Sequence, residues 1–420
     1  MPAEMEAFFA MVPLTVLSSD RLFSIMRPSP LSSVLVLGGL LVTCGCGRAA
    51  DTVGPPVLPT PPPPGCGNTG AGVCYHVDPS GSDANPGTAA QPFLTIQHAA
   101  DIVNPGDGVL VGDGVYTGGS TVVYINRSGT AANRIVFRAA NRWQAVIDGQ
   151  SNASTTGIAI PGGFVWVEGF EVRNTSRYGI DTDVGHDQVV LGNHVHDIGH
   201  ICTGTTGGIV GIDAYASGLV VAGNLIHDIG RLGPGEGNPP CSEPNANWQN
   251  HDHGIYNGIG TSVVIVNNVF YNLTHGWAIQ RYDGQDAVVH GLYILNNTFV
   301  GANPNRDAQI IIATATDHLV IANNIFYQPT TAGVWFDGAG SGATLTGNVA
   351  TGGLEIGGSG LVASGNLQNT DPMFVSAGTQ DFHLTGGSPA RGAGIAAWCP
   401  PTDYDGVTRT GACSAGAFHN

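Results

Sequence analysis

One short phrase recurs through this chain, and it narrows the fold more than any single motif does. A Gly-Ile or Gly-Val element leads into a turn, an apolar strand, an Asn and a second short apolar strand. It reads GIDTDVGHDQVVLGNHVHDIG from Gly179, GIVGIDAYASGLVVAGNLIHDIG from Gly208, GIYNGIGTSVVIVNNVFYN from Gly254 and IIIATATDHLVIANNIFYQ from Ile310. Strands this short cannot bury a face alone, so successive copies must stack as a solenoid. Asn193, Asn224, Asn268, Asn297, Asn324, Asn348 and Asn366 hold one equivalent position. Asn tolerates left-handed backbone angles and its amide can bond the next copy's Asn, so a ladder of them is expected to turn the same corner in each coil. Ile180, Ile212, Ile255 and Ile279 repeat in register and are expected to form a core stack.

This pattern resembles a right-handed parallel β-helix of the pectate-lyase-like superfamily, over residues 74–420. The opening YHVDPSGSDANPGTAAQPFLTIQHAADIVNPGDGVLVGDGVYTG and the ending DPMFVSAGTQDFHLTGGSPARGAG with a final GAF carry the same likeness. The resemblance implies an all-β, single-stranded right-handed parallel β-helix, with Thr95 to Val103 as an N-terminal capping helix. Stacked coils lie about 4.8 Å apart, so register decides which residues are neighbours.

Residues 1–46 read as an export signal: from Met26 onward there is one Arg at 27, an apolar run from Val34 to Val42, then small residues and Cys. That run is shorter than the roughly 20 apolar residues of a membrane span. Cys46, preceded by Gly45, fits the lipidated Cys of a bacterial lipoprotein signal, with a plain secretory signal as the alternative. Residues 47–65 are Pro-rich and read as a semi-rigid spacer; residues 66–420 read as one β-helix domain. Six Cys remain. They allow 15 pairings, of which neighbours in order, Cys66–Cys74, Cys202–Cys241 and Cys399–Cys413, give two local loops and one longer bridge. They point to an oxidising compartment, so the protein is placed in the cell envelope or outside the cell.

The chain carries 31 Asp plus Glu against 14 Arg, has no Lys and has a formal charge of −17. Such a balance disfavours nucleic acid as a partner, because phosphate binding needs cations. Membrane contact is expected only through the lipid anchor, and the chain is expected to act as a monomer on an acidic polysaccharide.

Nine of the 14 His fall between His186 and His290. The two long interruptions of the repeat, from His200 and from Arg231, fall in the same region, each directly after HDIG. Loops displayed from a rigid solenoid are where sites are built. Register aligns Asp181 and Asp183 with Asp213 and Tyr215, then with Tyr256, then with Gln280, Arg281 and Tyr282. His251, His253 and His275 rim this face, and Trp248 or Trp277 could stack on sugar rings. His196 and His227, with Asp197 and Asp228, recur in the HDIG phrase and read as a structural stack.

The resemblance implies a polysaccharide lyase or C5-epimerase on uronate glycans. Either needs a neutralised carboxylate, a base for the C5 proton and an acid. Arg281 with Gln280 is expected to neutralise the carboxylate, His253 to act as base, and Tyr256 or Tyr282 to deliver the proton. Calcium at Asp181, Asp183 and Asp213 is the one cofactor expected. A glycoside hydrolase using these Asp, or a non-catalytic glycan-binding surface protein, are the alternatives.

Overall fold

A computed structural model describes residues 55–419 except 183, 203–206, 243–247, 283–288, 338–342 and 359–360; the side chains of 248, 249 and 289 are also outside the description. Cys44, Cys46 and the proposed signal therefore lie outside the described residues. The strands form three long parallel sheets. Sheet 1 has eleven strands, from Cys74–Val77 to Val362–Ser364; sheet 2 has nine, from Gly114–Tyr116 to Val349–Ala350; sheet 3 has nine, from Thr121–Tyr124 to Gly353–Ile356. The chain visits sheets 1, 2 and 3 in turn, and each strand pairs with its equivalent one coil away. This is a parallel β-helix.

Apolar side chains stacked in register fill the interior. In sheet 3, Ile158, Ile180, Ile212, Ile255, Ile279, Ile310 and Val334 are successive partners, all almost fully buried. Sheet 1 contributes Val190, Val221, Ile265, Ile294, Ile321 and Leu345 in the same way. Sheet 2 contributes Phe270, Phe299 and Phe326, stacked at 4.8 and 5.0 Å. Each such side chain contributes about 1.5–3 kcal/mol of burial. The Gly of the Gly-Ile phrase is sterically required, since a Cβ at Gly179 would lie 2.5 Å from Gly211 O and 2.6 Å from Val195 Cγ1.

The Asn ladder closes the corner between sheets 1 and 2. Asn268 donates its backbone N–H and its amide to Asn297 Oδ1 at 2.9 and 3.0 Å, and its second amide hydrogen to Val221 O at 2.9 Å. The same triple contact runs from Asn193 to Asn366. The left-handed angle, however, belongs to the residue before each ladder Asn: Gly192, Gly223, Asn267, Asn296, Asn323, Gly347 and Gly365 have φ between 51° and 65°. The ladder side chains point inward from ordinary backbone. The three Asn in the left-handed position point outward and hold the C-terminal segment: Asn267 to Thr402 O, Asn296 to Ser414 O, and Asn323 Oδ1 to Ile395 N, at 2.7–2.9 Å.

Helix α1 (Ile96–Ile102) forms where expected. Thr95 caps it by accepting from His98 N, and Ile96, Ala99 and Ala100 are buried in the core. The described part of the Pro-rich segment does not stand clear of the domain: Leu58 packs on the sheet 1 patch around Trp166, and Arg138 Nη1 donates to Pro63 O and Gly65 O at 2.8 Å. All three expected disulfides are bonded, with Cα–Cα distances of 5.7, 5.2 and 6.0 Å. Among the described residues no helix is long and apolar enough to cross a membrane.

Candidate functional site

Sheet 3 presents two outward columns side by side. One is Tyr178, Val210, His253 and Trp277; the other is Asp181, Asp213, Tyr256, Gln280 and Ile311. A groove of about 460 Å³ lies over them, lined by Arg177, Tyr178, Asp213, Tyr215, His251, His253, Tyr256, Gln280, Tyr282 and Asp337. One wall is braced from below. Arg231 and Asp252, both fully buried, pair at 2.6 Å, and Arg231 Nη2 reaches Gly207 O at 2.9 Å. The Cys202–Cys241 bond ties the same two excursions together.

His253 is 2% exposed, and its Nδ1 has no hydrogen-bond partner among the described residues. Burial, reinforced by His251 and Arg231, pushes its imidazole down to about 3, so it stays unprotonated at neutral pH. Its ring centre lies 5.2 Å from that of Tyr256. Tyr256 stacks on Tyr215 at 5.7 Å and shares a hydrogen bond with it. Burial, then the neighbouring Tyr215, raises the Tyr256 phenol above its ordinary value, which keeps its proton in place. Gln280 Oε1 is buried and accepts no hydrogen bond among the described residues.

Arg281 does not reach the groove. Adjacent residues of a strand point to opposite faces, and with Gln280 outward Arg281 turns inward, in register with Asn257 and Ile312. It is fully buried, with Nη1 3.4 Å from Asn257 O. The groove's cation among the described residues is Arg177, which the sequence reading did not single out. It is exposed at the rim, 4.7 Å above the Tyr178 ring. Its signal in the sequence was modest: an Arg-Tyr pair directly ahead of the Gly-Ile phrase at Gly179.

Trp277 is 1% exposed, donates to Asn250 Oδ1 at 3.3 Å and packs against Trp335, so it offers no face to a ligand. His275 pairs with Glu236 at 3.1 Å outside the groove lining. Asp181 sits beside Asp213 in register but does not line the groove. Trp248 opens a short helix, α2 (Trp248–His251), and its side chain lies outside the described residues, as does Asp183.

The model of a Pel9A-like right-handed β-helix region matches residues 75–292, and a general right-handed β-helix region matches 244–398. Among solved structures, pectate lyase Pel9A is similar at 17% identity, covering 83% of this chain and 96% of that one with a TM-score of 0.55. The complex of XylC with xylose is similar at 13% identity, covering 70% and 69%, with a TM-score of 0.50. No curated protein sequence matches the chain. At these identities the likeness to solved structures is one of fold.

Proposed function

Since the chain belongs to the Pel9A-like right-handed β-helix family, we propose that it is an exported enzyme that removes the C5 proton of a uronate residue in an acidic polysaccharide, as a lyase or a C5-epimerase. One observation carries this reading. A cation at the rim, with an unprotonated imidazole and a proton-holding phenol on adjacent columns of one rigid sheet, lines a single groove.

Arg177 holds the uronate carboxylate with its planar fork, which favours the charge that spreads onto that carboxylate when C5 loses its proton. Gln280 Oε1 accepts a sugar hydroxyl. His253 takes the C5 proton; a bound uronate beside it raises its basicity, because a nearby negative charge favours imidazolium. The electron pair left on C5 passes into the carboxylate. In elimination it returns to form the C4–C5 double bond as the C4–O bond breaks, and Tyr256 gives its proton to the leaving oxygen. In epimerisation Tyr256 or Tyr282 returns a proton to the opposite face of C5. The groove's Tyr rings supply stacking surface for the chain.

Asp213, with Asp181 one coil away, offers a pair of carboxylates of the kind calcium takes. Calcium held there would add positive charge beside the substrate carboxylate. The same Asp181–Asp213 register favours a second reading, a retaining glycoside hydrolase, since carboxyls on adjacent coils can stand about 5 Å apart.

The full chain is incubated with pectate, alginate and glycosaminoglycans, with and without calcium, and the ultraviolet absorbance of unsaturated uronic ends is followed. Absorbance that rises with wild type and falls about 100-fold or more in Tyr256→Phe supports elimination. Solvent-proton exchange at C5 without absorbance supports epimerisation. New reducing ends without either overturn proton abstraction in favour of hydrolysis, and silence in all three assays overturns it in favour of a glycan-binding surface protein.

A further inference from the structure

On the outer face of sheet 2, away from the groove, three imidazoles converge. His194 and His196 flank the inward-pointing Val195, and His227 is the partner of His196 on the next coil. Their ring centres lie 4.2, 4.9 and 5.0 Å apart, one ligand nitrogen from each falls within 4.8 Å of the others, and His194 Nε2 is hydrogen-bonded to His227 Nε2 at 2.7 Å, a bond that a shared metal would replace. We propose that these three residues form a binding site for a divalent late first-row transition metal of the zinc class, pinning two neighbouring coils together.

The HDIG phrase explains why these nitrogens suit a metal. In both copies the Asp adopts a left-handed backbone, φ 52° at Asp197 and 51° at Asp228, which folds its carboxylate back onto the His before it. His196 Nδ1 lies 2.7 Å from Asp197 Oδ2, and His227 Nδ1 is bonded to Asp228 Oδ2. Each carboxylate fixes its imidazole's proton on Nδ1 and leaves a lone pair on Nε2. That is the outer-shell arrangement metal-bound histidines use, and it strengthens the ligand nitrogen. A left-handed Asp carries a conformational cost, and this contact is what it gains.

His196 supplies the independent observation. The residue is nine-tenths buried, and its Nε2 makes no hydrogen bond among the described residues. Glu171 Oε1 stands 3.3 Å from it outside hydrogen-bonding geometry and already accepts from Arg173 at 2.7 Å. Glu171 or water is placed to complete four-coordination. Trp143, 4.9 Å from His194, and Tyr271, stacked 4.3 Å from His227, wall the cluster. All-imidazole donors select zinc, copper or nickel over calcium or magnesium. Zinc–nitrogen bonds of about 2.0–2.1 Å at tetrahedral angles need the His194–His227 nitrogens to part to roughly 3.3 Å, a small ring rotation.

The test is titration of the chelator-treated full chain with Zn²⁺ alone by calorimetry, and with Co²⁺ alone by visible absorption. One equivalent bound, an intense tetrahedral cobalt band with no thiolate charge transfer, and unchanged binding in His290→Ala are expected. His194→Ala should weaken binding more than Asp228→Asn, whose expected loss is about 10- to 100-fold. The cobalt spectrum of wild type needs no variant to fold, and circular dichroism checks those that are made. No stoichiometric binding to wild type overturns the proposal. So does binding that His194→Ala leaves intact, or a thiolate band, which would move the metal to the cysteines.

Discussion

Arg231 and Asp252 form an ion pair wholly out of water: Nη2 lies 2.6 Å from Oδ1, and both side chains have zero exposure. Asp252 also accepts from the backbone N–H of Arg231 at 2.8 Å and of Ile209 at 3.2 Å. The pair locks the start of the long excursion after Gly230 to the strand that carries His253. Removing one partner strands a buried charge. Asp252→Ala is therefore expected to cost about 3–5 kcal/mol, read by denaturant unfolding. The paired replacement Arg231→Met with Asp252→Leu should recover much of that loss, because the cost lies in the unpaired charge rather than in the missing attraction.

The ladder predicts a gradient of cost along the helix. Asn297→Ala leaves Asn268 N–H, one Asn268 amide hydrogen and Ile265 O without partners in a fully buried corner, an expected loss of about 3–5 kcal/mol. Asn366→Ala removes equivalent contacts from Asn348 and Leu345, but the site is half-buried and water replaces them, so about 1 kcal/mol is expected. Equal losses at both positions would show that the corner is held by something other than these bonds.

Much of this was legible because a solenoid turns three-dimensional neighbourhood into sequence register. Ile180, Ile212, Ile255 and Ile279 and the ladder Asn sit where their spacing puts them, and α1 sits where the family resemblance puts it. The failures are of two physical kinds. Arg281 was read on the same face as Gln280, although period two forbids it; aligning Gln280 with Tyr256 already sends Arg281 inward beside Asn257. His194 was missed as a partner of the HDIG histidines because its register mate on the next coil is Leu225; its contact with His227 is diagonal, and a column-by-column reading passes over it. The left-handed residue was assigned one place late because both Asn of an Asn-Asn pair fit the reasoning, and only the coils with Gly first, at Gly192 and Gly223, separate the two roles.

Arg177 and Arg281 are predicted to behave differently on substrate. Arg177 is an exposed rim residue, so Arg177→Ala should fold normally and lower kcat/KM about 10- to 100-fold on a uronate polymer. Arg281→Ala removes a buried cation from the inner corner and should lower the unfolding midpoint. Kinetics and thermal melts on the two variants check this; a rate loss in Arg281→Ala without loss of stability would return that residue to the site.

Phe374–Ser376 and Asp381–Leu384 pair as an antiparallel hairpin, which carries its own pH dependence. His383 Nδ1 lies 2.7 Å from Asp381 and Nε2 2.8 Å from Asp405. Partial burial lowers its basicity, but the bonds to Asp405 and Asp381 outweigh that and raise it above the ordinary histidine value. A histidine raised on folding stabilises fully below its unfolded value, near 6.5, and loses that stabilisation as pH rises through the higher folded value. Hydrogen exchange at Asp381–Leu384 should therefore quicken, beyond its intrinsic pH dependence, as pH rises from about 6 to 8, and His383→Asn should abolish the excess.

The groove itself predicts an unusual profile for catalysis. With His253 held down to about 3 and Tyr256 raised above the ordinary phenol value, the base of the free enzyme stays unprotonated and the acid protonated throughout the neutral range. kcat/KM, which reports free-enzyme groups, is expected to be flat from about pH 5 to 9, with no limb near the ordinary histidine value of about 6.5. A limb near 6.5 that vanishes in His251→Gln would transfer the base's role to His251, which also lines the groove. A flat profile with activity lost in His253→Gln would identify the buried imidazole as the group that takes the proton.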